Sequence, residues 1–259
     1  MKYLFSRARV FAFALVCAVL VAFAAPMRAQ IQVNPPFPTD NDTVTVIFDA
    51  TQGTGGLTGV SPVFAHTGVI THRSLGASDW RFVVAQWGTD NPKVRMTPLG
   101  NNQHSLTFHI RSYYGVPEAD TIKQMAFVFR NANGSQEGKA AGGGDIYYPV
   151  YAAGEFVARI LSPAGGSAFY QVGDTLRIRA ASSLNATLVL LDGQTEIARA
   201  TNGRELTHNY VVPASAVGAG KTLRFQAVQG GQTRSDSLTF FVRGVPAVVA
   251  LPEGIQDGI

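Results

Sequence analysis

Beyond an apolar opening run, hydrophobic positions along this chain alternate with polar ones over short stretches, and helical spacing is nearly absent. The run Thr175-Leu176-Arg177-Ile178-Arg179-Ala180 is the clearest case. Side chains of a strand point alternately to its two faces, so Leu176, Ile178 and Ala180 share one face and the arginines the other. Between 155 and 245 the pattern predicts seven short strands: 156–161, 174–180, 186–191, 196–200, 205–212, 221–228 and 235–243. Asp192-Gly193, Asn202-Gly203 and Gly230-Gly231 punctuate them, and such pairs tolerate the positive φ angles of two-residue hairpins. Seven strands in a segment of this length predict an immunoglobulin-like sandwich.

The stretch 30–151 predicts a different β unit, with strands over 43–49, 63–70, 81–85, 105–110, 122–129 and 146–150. Met125-Ala126-Phe127-Val128-Phe129 is apolar at every position, so it is expected to be a central strand covered on both faces. Gly-rich loops at 52–59 and 134–144 interrupt the pattern. The fold class expected is therefore all-β, two consecutive β-sandwich modules at 30–151 and 155–245. A small, flexible Ala152-Ala153-Gly154 lies between them.

The opening run changes the picture of where the chain resides. Lys2, Arg7 and Arg9 precede an uncharged stretch from Val10 to Ala24, and Met27-Arg28-Ala29 offers a small residue for cleavage. This predicts a signal peptide over 1–29 and an exported protein: periplasmic, cell-surface or extracellular. The run is short for a membrane span, so no transmembrane segment is expected in the mature chain. Cys17, the only cysteine, lies within the leader behind a poor lipidation signal, so no disulfide is expected after cleavage. The leader holds four of the 21 basic residues and none of the 17 acidic ones, so the remainder is formally neutral. A neutral chain has no electrostatic basis for binding nucleic acid.

Catalytic motifs are absent: no phosphate loop, no His-Glu-x-x-His, no Gly-x-Ser-x-Gly. His66/His72 and His104/His109 are poorly spaced for chelation, and ordinary hydrogen bonds are expected of them. Asp40/Asp42 and Glu118/Asp120 are expected to cap turns or face solvent. No metal and no cofactor is expected. The aromatic residues are more informative. Trp80 and Trp87 lie close together, Tyr113-Tyr114 sits in a polar loop, and Asn91 and Lys93 follow Trp87. Flat aromatic faces stack on the apolar faces of sugars while amides and ammonium groups bond hydroxyls, so these six residues form a candidate carbohydrate site. Trp87, ahead of Gly88 and a polar loop, is expected on the surface and Trp80 in the core. The outward positions of 155–245 are read as Arg, Thr and Gln with no aromatic platform, which suits a spacer.

Several motifs carry a family resemblance. They are Val63-Phe64-Ala65-His66-Thr67-Gly68-Val69-Ile70-Thr71, the Trp80…Trp87-Gly88 spacing, Lys93-Val94-Arg95-Met96-Thr97, Ile110-Arg111-Ser112-Tyr113-Tyr114-Gly115-Val116-Pro117 and Ala126-Phe127-Val128-Phe129-Arg130-Asn131-Ala132-Asn133-Gly134-Ser135. Together they resemble the N-terminal non-catalytic region of secreted α-amylase-family glycoside hydrolases of Bacteroidetes-type bacteria. That resemblance implies an accessory region that binds an α-glucan such as starch and spaces it from a catalytic barrel. On the same resemblance 246–259 reads as a linker towards downstream domains that this sequence does not contain. The rival expectation is a structural spacer or protein-docking module of the cell envelope that binds no sugar.

Overall fold

The computed structural model describes residues 30–163 and 168–244. The predicted leader, part of the turn after Ser162 and the predicted linker 246–259 lie outside the described residues.

The first unit contains β1 (Ile31–Asn34), β2 (Thr43–Asp49), β3 (Phe64–Thr71), β4 (Thr97–Gly100) and β5 (Gln103–His109). The one-turn helix α1 (Ile110–Tyr114), β6 (Ile122–Arg130), β7 (Glu137–Gly138) and β8 (Ile146–Pro149) follow. One sheet runs β1-β2-β5-β4; the other pairs β3 with β6, and β6 with both β7 and β8. Their inner faces share one core, in which Val44, Val46 and Phe48 of β2 meet Met125, Phe127 and Phe129 of β6. Phe48 and Phe129 stack at 3.9 Å between centroids across the two sheets. Alternation made β2 legible as a half-buried strand, and β6, whose run Met125–Phe129 is apolar throughout, is buried from Met125 to Arg130 as expected of a doubly covered strand.

The second unit is a single six-stranded sheet built from β9 (Ala158–Ser162), β10 (Phe169–Gln171), β11 (Thr175–Asp192), β12 (Thr195–Val211), β13 (Gly220–Gln229) and β14 (Gln232–Arg243). Its order is β10-β14-β13-β11-β12, with β9 also on β11. Here the predicted strand count needs correction. Residues 174–180 and 186–191 belong to one strand of 18 residues, and 196–200 and 205–212 to its 17-residue partner. Register shifts between Ala181 and Leu188 replace the expected breaks, so Asn202-Gly203 is a bulge within β12 and not a hairpin. Both halves of β11, Leu176 and Ile178 on one side and Leu188 and Leu190 on the other, enter the same core. The other two turns are as predicted. Gly193 (φ 62) closes β11 to β12, and Gly230 (φ 54) with Gly231 (φ 77) closes β13 to β14 in a two-residue loop.

The predicted strand at 81–85 is not one. Within it only Arg81 bridges β3, opposite Val69; Arg95 makes a second bridge, opposite Phe64, and the remainder of 72–96 forms an irregular cover on the β3–β6 sheet.

Candidate functional site

The cover gives the first unit its most chemically varied surface. On the β3–β6 face turned away from the core, Phe64 pairs with Arg130, His66 with Val128 and Gly68 with Ala126. The cover is stapled along the edge of β3. Arg81 N–H donates to Val69 O (2.8 Å), Val69 N–H to Arg81 O (2.9 Å), and Val84 N–H to Thr67 O (3.1 Å). Ala65 N–H donates to Val94 O (2.8 Å) and Met96 N–H to Val63 O (2.9 Å). Gly68 allows this approach, because a Cβ there would lie 3.0 Å from both Arg81 O and Val83 Cγ2.

Two indoles come down with the cover onto one imidazole. Trp80 stacks on His66 at 5.8 Å and Trp87 meets it edge-on at 5.1 Å. Trp80 Nε1–H donates to Tyr147 Oη (3.4 Å), whose own hydroxyl donates to Ala77 O (2.9 Å). The Arg130 guanidinium, wholly buried, lies over the rings of Phe64 (5.0 Å) and Trp87 (5.7 Å). It donates to three carbonyls: Thr89 O at 2.6 Å, and Asn131 O and Ala132 O at 2.9 Å each. A buried cation needs such partners, and here backbone oxygens and π faces supply them without a carboxylate in contact. Burial draws the Arg130 guanidinium down from its ordinary range, and nearby Asp90 opposes that pull. Trp87 keeps 41% of its surface exposed, its indole edge seated on Gly134, where a Cβ would fall 2.3 Å from Nε1.

The structure separates the six predicted site residues. Trp87 is on the surface as expected. Trp80 is half-buried between His66 and Tyr147 and does not sit in the core. Tyr114 is a core residue, its hydroxyl 2.6 Å from Thr67 Oγ1, so it offers no stacking face. Tyr113 is half-buried, stacked on Phe108 at 4.2 Å, with its hydroxyl donating to Lys93 O (3.0 Å). The two tyrosines are split because α1 turns successive side chains to different sides before Gly115 (φ 68) ends it. Asn91 Oδ1 accepts from Lys93 N–H (2.9 Å) within its own turn. The Lys93 side chain is exposed. Tyr113, Lys93 and Asn91 are thus brought together, while Tyr114 is withdrawn into the core.

The acidic residues are more structural than expected. Asp42 caps Thr39 as predicted, but Asp40 pairs with Arg111, and the buried Asp120 pairs with Arg73 at 2.7 Å. His72 Nδ1 accepts from Thr121 N–H (3.1 Å) and His109 Nδ1 lies 3.1 Å from Ser112 Oγ, the ordinary bonds expected. His66 and His104 differ, since Nδ1 of each is buried without a partner. Among the described residues no three His, Cys, Asp or Glu side chains are grouped to hold a metal. Sequence reasoning missed His66, Arg130 and Tyr147. The only signal for Arg130 was a cation at the end of an otherwise apolar strand.

Burial lowers the His66 pKa below its usual 6.5, Arg130 lowers it further, and the Ala85 carbonyl and Asp145 oppose this. Burial alone lowers that of His104. A histidine whose folded pKa is depressed contributes stability in full above its unfolded value. That contribution falls as pH drops from about 6.5 towards the folded value, because only the unfolded chain takes up the proton there. The urea midpoint of the first unit is therefore expected to decline from pH 7 to pH 5. His66→Gln should flatten part of the decline, leaving the share of His104. An unchanged slope in the variant would remove His66 from this account.

A family model described as a domain of unknown function, DUF8578, matches residues 31–137, the span that holds both sheets' main strands and the cover. No functionally curated protein matches the chain. Among solved structures, a biofilm-associated protein BSP domain aligns over 85% of this chain and 30% of its own, at 14% identity and a TM-score of 0.40. Two titin structures also align: A168169 (12% identity, 85% of this chain, all of that one, TM-score 0.27) and the immunoglobulin tandem A164-A165 (10%, 82% and 96%, TM-score 0.28). The chain thus spans under a third of the first of these structures. Superpositions this loose add nothing to the fold described above. The resemblance to amylase-family accessory regions rests on the sequence motifs alone.

Proposed function

We propose that the chain is a non-catalytic pair of exported modules, 30–151 and 155–245, that spaces or docks components of a cell envelope. One observation carries this reading: the aromatic groups best suited to hold a sugar are committed within the fold. Tyr114 is bonded to Thr67, Tyr113 lies against Phe108, and Trp80 is fixed between His66 and Tyr147. A carbohydrate platform needs bare rings with free polar neighbours, and such contacts consume both. The charged leader and its uncharged apolar run support export.

A second reading keeps α-glucan binding at a single point, and the exposed indole of Trp87 beside the polar turn Thr89–Asn91 favours it. Titration calorimetry with maltoheptaose separates the two. The spacer reading predicts no saturable heat from the folded chain. Saturable heat that Trp87→Ala weakens by about 1–3 kcal/mol, the loss of a central anchor, would overturn it in favour of the glucan.

A further inference from the structure

The second unit carries an aromatic platform that its sequence was expected to lack. Phe240 and Phe241 are adjacent in β14, so alternation sends Phe240 into the core and Phe241 out. Phe241 is 41% exposed and Phe169, its partner on β10, is 49% exposed, with ring centroids 5.6 Å apart. On the other side β13 places Gly220 opposite Phe241, and a Cβ there would touch the ring at 3.5 Å. Phe241 thus lies across the neighbouring strand and does not project from the sheet.

The same face is rich in hydroxyls and cations. Arg243 stacks on Phe169 at 4.6 Å, which holds its guanidinium in place while leaving its edge free for a planar anion. Thr239 and Thr222 pair below Phe241 with their hydroxyls 2.9 Å apart, and Arg224 pairs with Ser237 two positions further on. Neither Arg224 nor Arg243 makes an ion pair among the described residues. The nearest acid along that row, Glu196, is already held by Arg199 at 2.6 Å. At about 3.3 Å per residue, the six-residue step from Arg243 to the Arg224 row spans about 20 Å, the reach of a polymer and not of one small molecule. Between 155 and 244 the chain has nine Arg and Lys against six Asp and Glu, so the surplus of positive charge resides in this unit.

We infer that the outward face of β10, β14 and β13 is a binding platform for a carboxylate-bearing polysaccharide. Sugar rings pack on Phe241, and carboxylates are taken by Arg243 and Arg224. A flat sheet face suits an extended chain, and rings lying along the sheet are poorly placed to insert between lipids. This goes beyond the spacer reading, which assigns the second unit no ligand.

The test is affinity electrophoresis and calorimetry of the full chain with polygalacturonate, with amylose as the neutral control and phosphatidylglycerol vesicles as the anionic lipid control. Expected is retention by polygalacturonate that weakens with added salt, and none by amylose or vesicles. Arg224→Gln/Arg243→Gln should weaken binding by at least about tenfold, as loss of a charge-assisted hydrogen bond implies. Phe241→Ser should weaken it severalfold, and Trp87→Ala should leave it unchanged. Circular dichroism melts confirm that each exposed-site variant is folded. The proposal is overturned by absent polygalacturonate binding, by binding that these variants leave intact, or by vesicle binding that the same variants abolish.

Discussion

Replacing Arg130 with alanine is expected to destabilise the first unit by about 3–5 kcal/mol, the range for emptying a large buried side chain's space, with an acceptor stripped of its donor adding to it. The side chain is fully buried, so its removal leaves a void between Phe64 and Trp87. It also strips donors from the carbonyls of Thr89, Asn131 and Ala132 at once. Thr89 O and Asn131 O keep the N–H groups of Asn91 and Gly134 as donors, so Ala132 O is the acceptor left unpaired, at about 1–3 kcal/mol less whatever water recovers. Arg130→Met refills much of the volume without restoring the donors, so it should recover only the packing share. Both tryptophans lie in the cover, and urea unfolding followed by their fluorescence reads the loss directly. A loss below about 1 kcal/mol for the alanine variant would mean that the guanidinium does not hold the cover.

Phe129→Ala tests the other face of the same strand. Its ring has no exposed surface, stacks on Phe48 at 3.9 Å and runs parallel to Phe127 at 5.8 Å. The two sheets meet through these rings, so no backbone shift can close the space without parting them. A loss of about 3–5 kcal/mol is expected, the range for deleting a buried phenylalanine. Leu75→Ala, at a side chain 96% exposed, should change stability by no more than about 0.5 kcal/mol. Comparable losses at the two positions would contradict the described core.

Residues 43–49 were legible because alternation is a local property of a half-buried strand, and 125–129 because a strand covered on both sides has no polar position. The tight turns at Gly193 and Gly230-Gly231 declared themselves through the φ angles they require. What escaped depends on distant contacts. The segments 174–191 and 196–212 look broken between 180 and 186 and at Asn202-Gly203, but a bulge accommodates the same residues as a turn. Residues 81–85 are rich in strand-forming Phe and Val, yet only Arg81 finds a strand to bridge, and the segment becomes a cover. The candidate site was half legible. Aromatic clustering pointed to Trp80 and Trp87, but nothing local says that His66 of β3 and Arg130 of β6 meet them. Nor does Tyr113-Tyr114 say which ring turns inward until α1 is formed. The platform at Phe241 was overlooked although the pair Phe240-Phe241 implied it, since alternation cannot bury both.

The central claim is that the cover 72–96 is part of the folded framework, holding its aromatic residues in place and not presenting them as a mobile binding surface. Amide hydrogen exchange at Arg81 and Val84 measures this, because both N–H groups donate to β3 carbonyls. Protection equal to that of the β6 amides paired with β3, lost only when the whole unit unfolds, is the result predicted. Exchange at Arg81 and Val84 at the rate of an open loop, while β6 stays protected, would contradict it.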